Sequence, residues 1–423
     1  MSTSSDTLAE QAVAVARALL DPERVAAAVP PQAAATLSDG LAGTALLHAC
    51  LAHIGPEFTT AAARHWAAAG RLRGDAPPNG IHTGTGALAA SLIIGSGHLP
   101  DADLHRDTTS KATAWLSARA QGLARHQRRR VDDDRPGAPW AVYDAINGLA
   151  GIGRVLLAAR TAGHGQAAEP GLAAVLTTLT TLIRTRHGAR PGWWLSAEEH
   201  PARVNAPSSG AATTGLAHGI AGPLATLAVA HIEGHAVPGQ AEAIRTAARW
   251  LLARREPTAS WPPFVSGHDL DASPVRRTPA GPGRRDAWCY GAPGIGRALT
   301  LAGHALNDPA LVGAGRTAIA PMADRDPSRW DTEGPTLCHG SAGVLQAATK
   351  AGCEAVARLA AEHTAAFYDS ERPFGFAHLE AGAAFDNPGF LTGAAGTALA
   401  LADHGGLIPS DPAASWDCLL LLS

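Results

Sequence analysis

Two cysteines and a histidine stand at matching places in two copies of one phrase. The first copy reads Trp288-Cys289-Tyr290-Gly291-Ala292-Pro293-Gly294-Ile295-Gly296, and it returns as Leu337-Cys338-His339-Gly340-Ser341-Ala342-Gly343-Val344-Leu345. Each copy puts a thiol ahead of a glycine-rich step that runs into an apolar helix. Pro293 pre-sets the backbone for a first helical turn, and the positive end of the helix dipole favours thiolate. Cys289, Cys338 and His339 are therefore candidate ligands of one Zn2+, with the fourth position open. Open three-ligand sets belong to catalytic zinc, whereas structural zinc is usually closed by four protein ligands. The competing reading is two buried structural cysteines and a turn histidine.

Other chemistry-bearing residues gather at the same kind of step. His218 precedes the first glycine of another copy, a place read as corresponding to that of Cys289 and Cys338, and suits a general acid or base near neutral pH. Capping a helix is its alternative role. Asp144 lies four residues ahead of Gly148 and can orient an imidazole at the same mouth, or serve as an ordinary loop or N-cap carboxylate. Arg285 offers a cation to a developing enolate, or is simply solvated. Tyr290 is a hydrogen-bond donor at the site or a packed aromatic. Trp193-Trp194 lines a peptide groove or forms a local apolar clasp.

The elements that must position these residues are repeats. A Gly-x-x-Gly step occurs at Gly40/Gly43, Gly148/Gly151, Gly219/Gly222, Gly291/Gly294, Gly340/Gly343 and Gly393/Gly396, with a looser copy in His82-Thr83-Gly84-Thr85-Gly86. Each enters an Ala-, Leu- or Val-rich helix. A second, more polar helix follows in the intervals, as in Leu172–Arg184, Ala241–Arg254 and Glu354–Tyr368, and Leu8–Leu20 opens the chain as an amphipathic helix. Internal repetition of this kind predicts an all-α (α/α)7 toroid, seven inner and seven outer helices closing without end caps. Thr83 replaces the first glycine in the second copy, which sets that copy apart. Arg128–Ala141, Gly188–Ser209 and Glu256–Asp286 break the helical rhythm and are predicted to be loops around the helix mouths.

Composition narrows the function. The 423 residues are 46% hydrophobic with a net charge of −3, enough for a large core and unsuited to nucleic acid as the main partner. The longest apolar stretches, such as Leu224–Ile232, are too short to span a bilayer. No signal-peptide pattern opens the chain, and five cysteines over this length are not a disulfide scaffold, so a cytoplasmic location is expected. Cys50, Cys353 and Cys418 lack the context of the other two and are read as inert.

Taken together, Arg285-Asp286-Ala287-Trp288-Cys289-Tyr290-Gly291, Cys338-His339-Gly340-Ser341-Ala342-Gly343, Gly215-Leu216-Ala217-His218-Gly219 and Tyr143-Asp144-Ala145-Ile146-Asn147-Gly148 resemble the signature motifs of LanC-type lanthipeptide cyclases. The tail Trp416-Asp417-Cys418-Leu419-Leu420 resembles the C-termini of that family, and the repeat set runs from about residue 37 to 405, within one domain spanning 1–423. The resemblance implies a double α-barrel in which Cys289, Cys338 and His339 hold Zn2+ and a cysteine of a dehydrated precursor peptide takes the fourth position. The thiolate would add to Cβ of dehydroalanine or dehydrobutyrine and form a (methyl)lanthionine ring. His218 would handle a proton, Asp144 would orient His218, and Arg285 and Tyr290 would support the enolate or substrate. A stand-alone, class I-type cyclase served by a separate dehydratase is the expectation. Competing readings are an enzyme of the same fold that adds glutathione or another small thiol to dehydroamino acids, and a non-catalytic peptide-binding scaffold. An α/α-toroid glycosidase would need paired carboxylates, and only Asp144 is well placed.

Overall fold

The structure, a computed structural model, describes residues 4–74, 80–201, 207–257, 260–272, 286–409 and 415–423. Among the described residues, fourteen helices alternate between an outer and an inner ring. The seven outer ones are α1 (Ser5–Ala18), α3 (Pro56–Leu72), α5 (Arg106–Asp132), α7 (Gly165–Arg184), α9 (Gln240–Ala253), α11 (Pro309–Ile319) and α13 (Glu354–Ala365). The inner ones are α2 (Leu41–Cys50), α4 (Gly84–Ser96), α6 (Leu149–Ala159), α8 (Ala221–Ile232), α10 (Ala292–Leu306), α12 (Ser341–Ala351) and α14 (Ala394–His404). Each inner helix packs on the next, and α14 packs on α2 to close the ring while α1 lies on α14. The fold is the (α/α)7 toroid.

The two rings differ because their burial differs. Every residue of α2 and of α6 is buried, and small side chains let these helices sit close on all sides. Outer helices bury one stripe: α9 buries Ala243, Ile244, Ala247, Ala248 and Leu251 at helical spacing and turns its charged face outward. Each large apolar side chain so buried contributes about 1.5–3 kcal/mol.

The glycine step is a steric requirement. A Cβ on Gly340 would stand 2.3 Å from the backbone nitrogen of Thr336, and one on Gly343 would stand 2.1 Å from the carbonyl oxygen of Leu337. The chain folds back on itself too tightly there for any side chain. Thr83 fills the N-cap place of α4 in an extended conformation, as Gly340 does for α12, so the second copy enters its inner helix in the same way, although the turn ahead of it lies partly outside the described residues.

The segments entering the inner helices form a closed belt of backbone hydrogen bonds. Ser38 N–H donates to His82, Ile81 to Ile146, Ala145 to Ala217, Ala217 to Cys289, Cys289 to Cys338, Cys338 to Leu391, and Leu391 back to Ser38. All seven bonds are between 2.9 and 3.3 Å. The tail fills the centre of the ring, with Leu419–Leu422 buried. Trp288 Nε1 donates to the Leu420 carbonyl (2.8 Å) and Arg297 Nε to that of Leu422 (2.7 Å), so the residue preceding Cys289 is fixed from below.

All three loop expectations need correction. Residues Arg128–Asp132 complete α5, because their charges lie on a solvent face while Arg130 turns inward to an ion pair with Glu199 at 2.8 Å. The other two loops hold short strands, and Trp194–Leu195, Ala211–Thr213 and Phe264–Ser266 form one small antiparallel sheet. Trp193 and Trp194 are buried, Trp193 edge-on to Trp250 and Trp194 beneath Arg190, so they form an apolar clasp. Among the described residues no helix is long and apolar enough to cross a membrane.

Candidate metal centre

Cys289 and Cys338 occupy adjacent segments of the belt, joined by the bond from Cys289 N–H to the Cys338 carbonyl (3.1 Å). Gly291 takes φ 149°, a conformation open to glycine, and so turns the chain from Cys289 directly into α10. On the other side of Cys289, Asp286 accepts two bonds from Arg325, at 2.8 and 2.9 Å, which anchors the start of that segment. The result is that one ligand-type atom from each of Cys289, Cys338 and His339 lies within 4.8 Å of the others.

These residues fit a metal. Three donors bound to one tetrahedral Zn2+ at about 2.0–2.3 Å stand roughly 3.4–3.8 Å apart, a contraction within reach of small side-chain rotations. His339 is 5% exposed, and neither of its ring nitrogens has a hydrogen-bond partner among the described residues. Buried polar atoms are normally satisfied, so an imidazole in this state is one that awaits a ligand. Two soft sulfurs and one imidazole suit zinc better than a hard cation.

Beside this cluster stands a polar pair. Asp144 is fully buried, its Oδ2 lies 2.6 Å from His218 Nδ1, and its Oδ1 accepts from the Asn147 N–H at 2.7 Å. Tyr143 donates its hydroxyl to the His218 carbonyl (3.0 Å). Burial, with the Asp144 charge adding to it, pushes the Tyr143 phenol well up. The His218 ring is partly exposed and stacks on Trp140, centroids 4.5 Å apart and planes 11° from parallel. Tyr290 faces His218 at 6.3 Å, and burial followed by the neighbouring Cys289 raises its phenol well above the ordinary value. It is therefore a neutral donor at neutral pH. Arg285 lies outside the described residues.

The structure corrects the register assigned to His218. Ala217 is the residue that stands with Cys289 and Cys338 in the belt, and His218 is equivalent to Tyr290 and His339, each just before its glycine. Sequence reasoning also passed over Trp140, although Trp140 precedes Asp144 by one helical turn. Cys50, Cys353 and Cys418 are free thiols whose acidity is suppressed by burial, Cys418 to about 12.

A family profile described as lanthionine synthetase C-like protein matches residues 31–421. The nisin biosynthesis protein NisC of Lactococcus lactis subsp. lactis is 25% identical over 269 residues, a match that spans 62% of this chain and 62% of that relative. The solved structure of a nisin cyclase superposes with a TM-score of 0.73 at 20% identity, covering 92% of this chain and 93% of the other, which shows a shared fold.

Proposed function

The chain belongs to the lanthionine synthetase C-like family, and from that premise we propose that it is a zinc-dependent cyclase forming thioether rings in a dehydrated precursor peptide. The observation that carries this reading is the convergence of Cys289, Cys338 and His339 beside the Asp144–His218 pair. Zinc bound there would hold a substrate cysteine as thiolate at neutral pH. The balance of the reaction is simple. The thiol loses its proton, a C–S bond forms at Cβ of dehydroalanine or dehydrobutyrine, and a proton is placed on Cα.

The chain's own residues supply the rest. Asp144 accepts the Nδ1 proton of His218 and so leaves Nε2 to take a proton from the thiol or to return one to Cα. Trp140 keeps the imidazole plane fixed, and the Tyr143 hydroxyl holds its backbone. Tyr290, neutral and close to both groups, donates toward the oxygen of the enolate that develops on addition. The dehydrated peptide must come from a preceding dehydration reaction, consistent with a separate dehydratase as partner.

Elemental analysis of the wild type and of Cys338→Ala tests the metal. About one zinc per chain, lost in the variant together with ring formation, is the expected result. Ring formation is read by alkylating the remaining thiols of a dehydrated peptide and counting the adducts by mass. Chelator-free wild type without zinc would refute the proposal.

A further inference from the structure

His339 presents two buried ring nitrogens without partners among the described residues, and a metal ion accounts for only one of them. A neutral imidazole has one N–H and one lone pair, and leaving either unmet in a buried site is destabilising. The group placed to meet the second nitrogen is Glu333, whose Oε2 stands 3.7 Å from His339 Nε2.

That approach is built into the backbone. Glu333 N–H donates to the His339 carbonyl at 2.7 Å, and Ser341 N–H donates to the Gly334 carbonyl at 2.9 Å. Gly334 turns with φ +66° between them, and a Cβ there would stand 2.9 Å from the Leu379 side chain. The loop therefore delivers Glu333 to His339. At 3.7 Å the pair is longer than a hydrogen bond, whose N···O distance reaches about 3.2 Å, and a small rotation of the Glu333 side chain closes the gap. The other ring beside His339 is His378, 5.3 Å away and edge-on, which offers no carboxylate.

We propose that Glu333 is a positioning residue of the metal centre: it accepts the Nε2 proton of His339, fixes the tautomer that leaves Nδ1 for the metal, and strengthens that nitrogen as a donor. Histidine ligands of metals commonly hand their second N–H to a carboxylate in this way. The inference rests on the zinc reading of the same site.

The test uses the full chain and the ions alone, Zn2+ in competition with a chromogenic chelator and Co2+ by absorption. Glu333→Ala is expected to weaken zinc binding about 10–100-fold and to shift the cobalt ligand-field bands. Glu333→Gln, which keeps an acceptor without the charge, is expected to recover most of the affinity and the wild-type band positions. A role confined to the fold would move thermal stability in both variants and leave the cobalt spectrum of the folded protein unchanged. Zinc affinity and cobalt bands like those of wild type in Glu333→Ala would overturn the assignment. Should that variant fail to fold, affinity in Glu333→Gln as weak as that of a Cys338→Ala control would overturn it as well. Wild type that takes up neither ion defeats the zinc reading itself, a distinct outcome.

Discussion

Replacing Asp144 by Asn changes one oxygen for an NH2 group at the most enclosed point of the site. The Asn147 N–H bond to Oδ1, 2.7 Å, is retained by the amide oxygen, which turns the NH2 toward His218 Nδ1. That nitrogen must then be the acceptor, and the proton moves to Nε2, where a base is needed. The loss has two parts. A charge-assisted hydrogen bond to a fully buried carboxylate is worth about 1.5–3 kcal/mol, or roughly 10- to 150-fold in rate. The wrong tautomer adds to this, and in hydrolases with the same carboxylate–imidazole pair the combined loss reaches about 10⁴. A fall of about 10²–10⁴-fold in ring formation is expected, with zinc content unchanged because Asp144 is not one of the proposed ligands. The assay is the timed loss of alkylatable thiols in a dehydrated peptide, with metal analysis of the same preparation. A rate within about threefold of wild type would refute the assignment of His218 as the proton-handling group oriented by Asp144.

Two further predictions concern stability. Gly343→Ala places a Cβ 2.1 Å from the Leu337 carbonyl, next to Cys338, and should cost on the order of 2–4 kcal/mol and lower zinc content, whereas Gly313→Ala, in open space on α11, should stabilise by about 0.5–1 kcal/mol. Thermal unfolding of the two variants, with metal analysis, separates the cases, and equal melting temperatures would contradict the packing argument. His48 and His65 are buried against each other, donating to the Leu19 and Leu20 carbonyls, and burial lowers them to about 3 and about 4. The folded chain keeps both neutral while the unfolded chain takes up protons below about pH 6.5, so stability is present above that value and falls as pH drops toward 4. The slope is about 1.4 kcal/mol per pH unit for each histidine. Urea unfolding of His48→Gln between pH 7 and 4 should show a slope shallower by about that amount, and parallel curves would remove His48 from the account.

The ring was legible because repetition is a strong signal. Seven glycine-led apolar helices separated by polar ones have few ways to bury every face, and closure is one of them. The metal candidates were legible for the same reason, since residues equivalent in neighbouring repeats must lie near one another. What failed was judged from local composition. Arg128–Asp132 looks like a charged loop, but charge on the outward face of a helix gives the same string. The register of His218 was misjudged by one residue because the step before the glycine has no periodicity, and only the belt bonds define it. Glu333 gave no signal at all. Its reach to His339 depends on a left-handed turn at Gly334, which a sequence marks only as one glycine among many.

The order of groups along the belt has a consequence for the substrate. Asp144 belongs to the third repeat, His218 to the fourth, Cys289 and Tyr290 to the fifth, and Cys338 and His339 to the sixth. Consecutive repeats are joined by backbone bonds. On the proposed reading, the site is therefore an arc. The thiol is held at its Cys338 end, His218 waits at the other, and Tyr290 lies between them. Bond formation at Cβ and protonation at Cα occur on neighbouring atoms, so the dehydrated residue must lie across this arc with Cβ toward the cysteines and Cα toward His218. The same histidine placed two repeats away would lose its reach. Chemistry in this ring is a matter of which repeats are neighbours, and the belt is what makes that neighbourhood rigid.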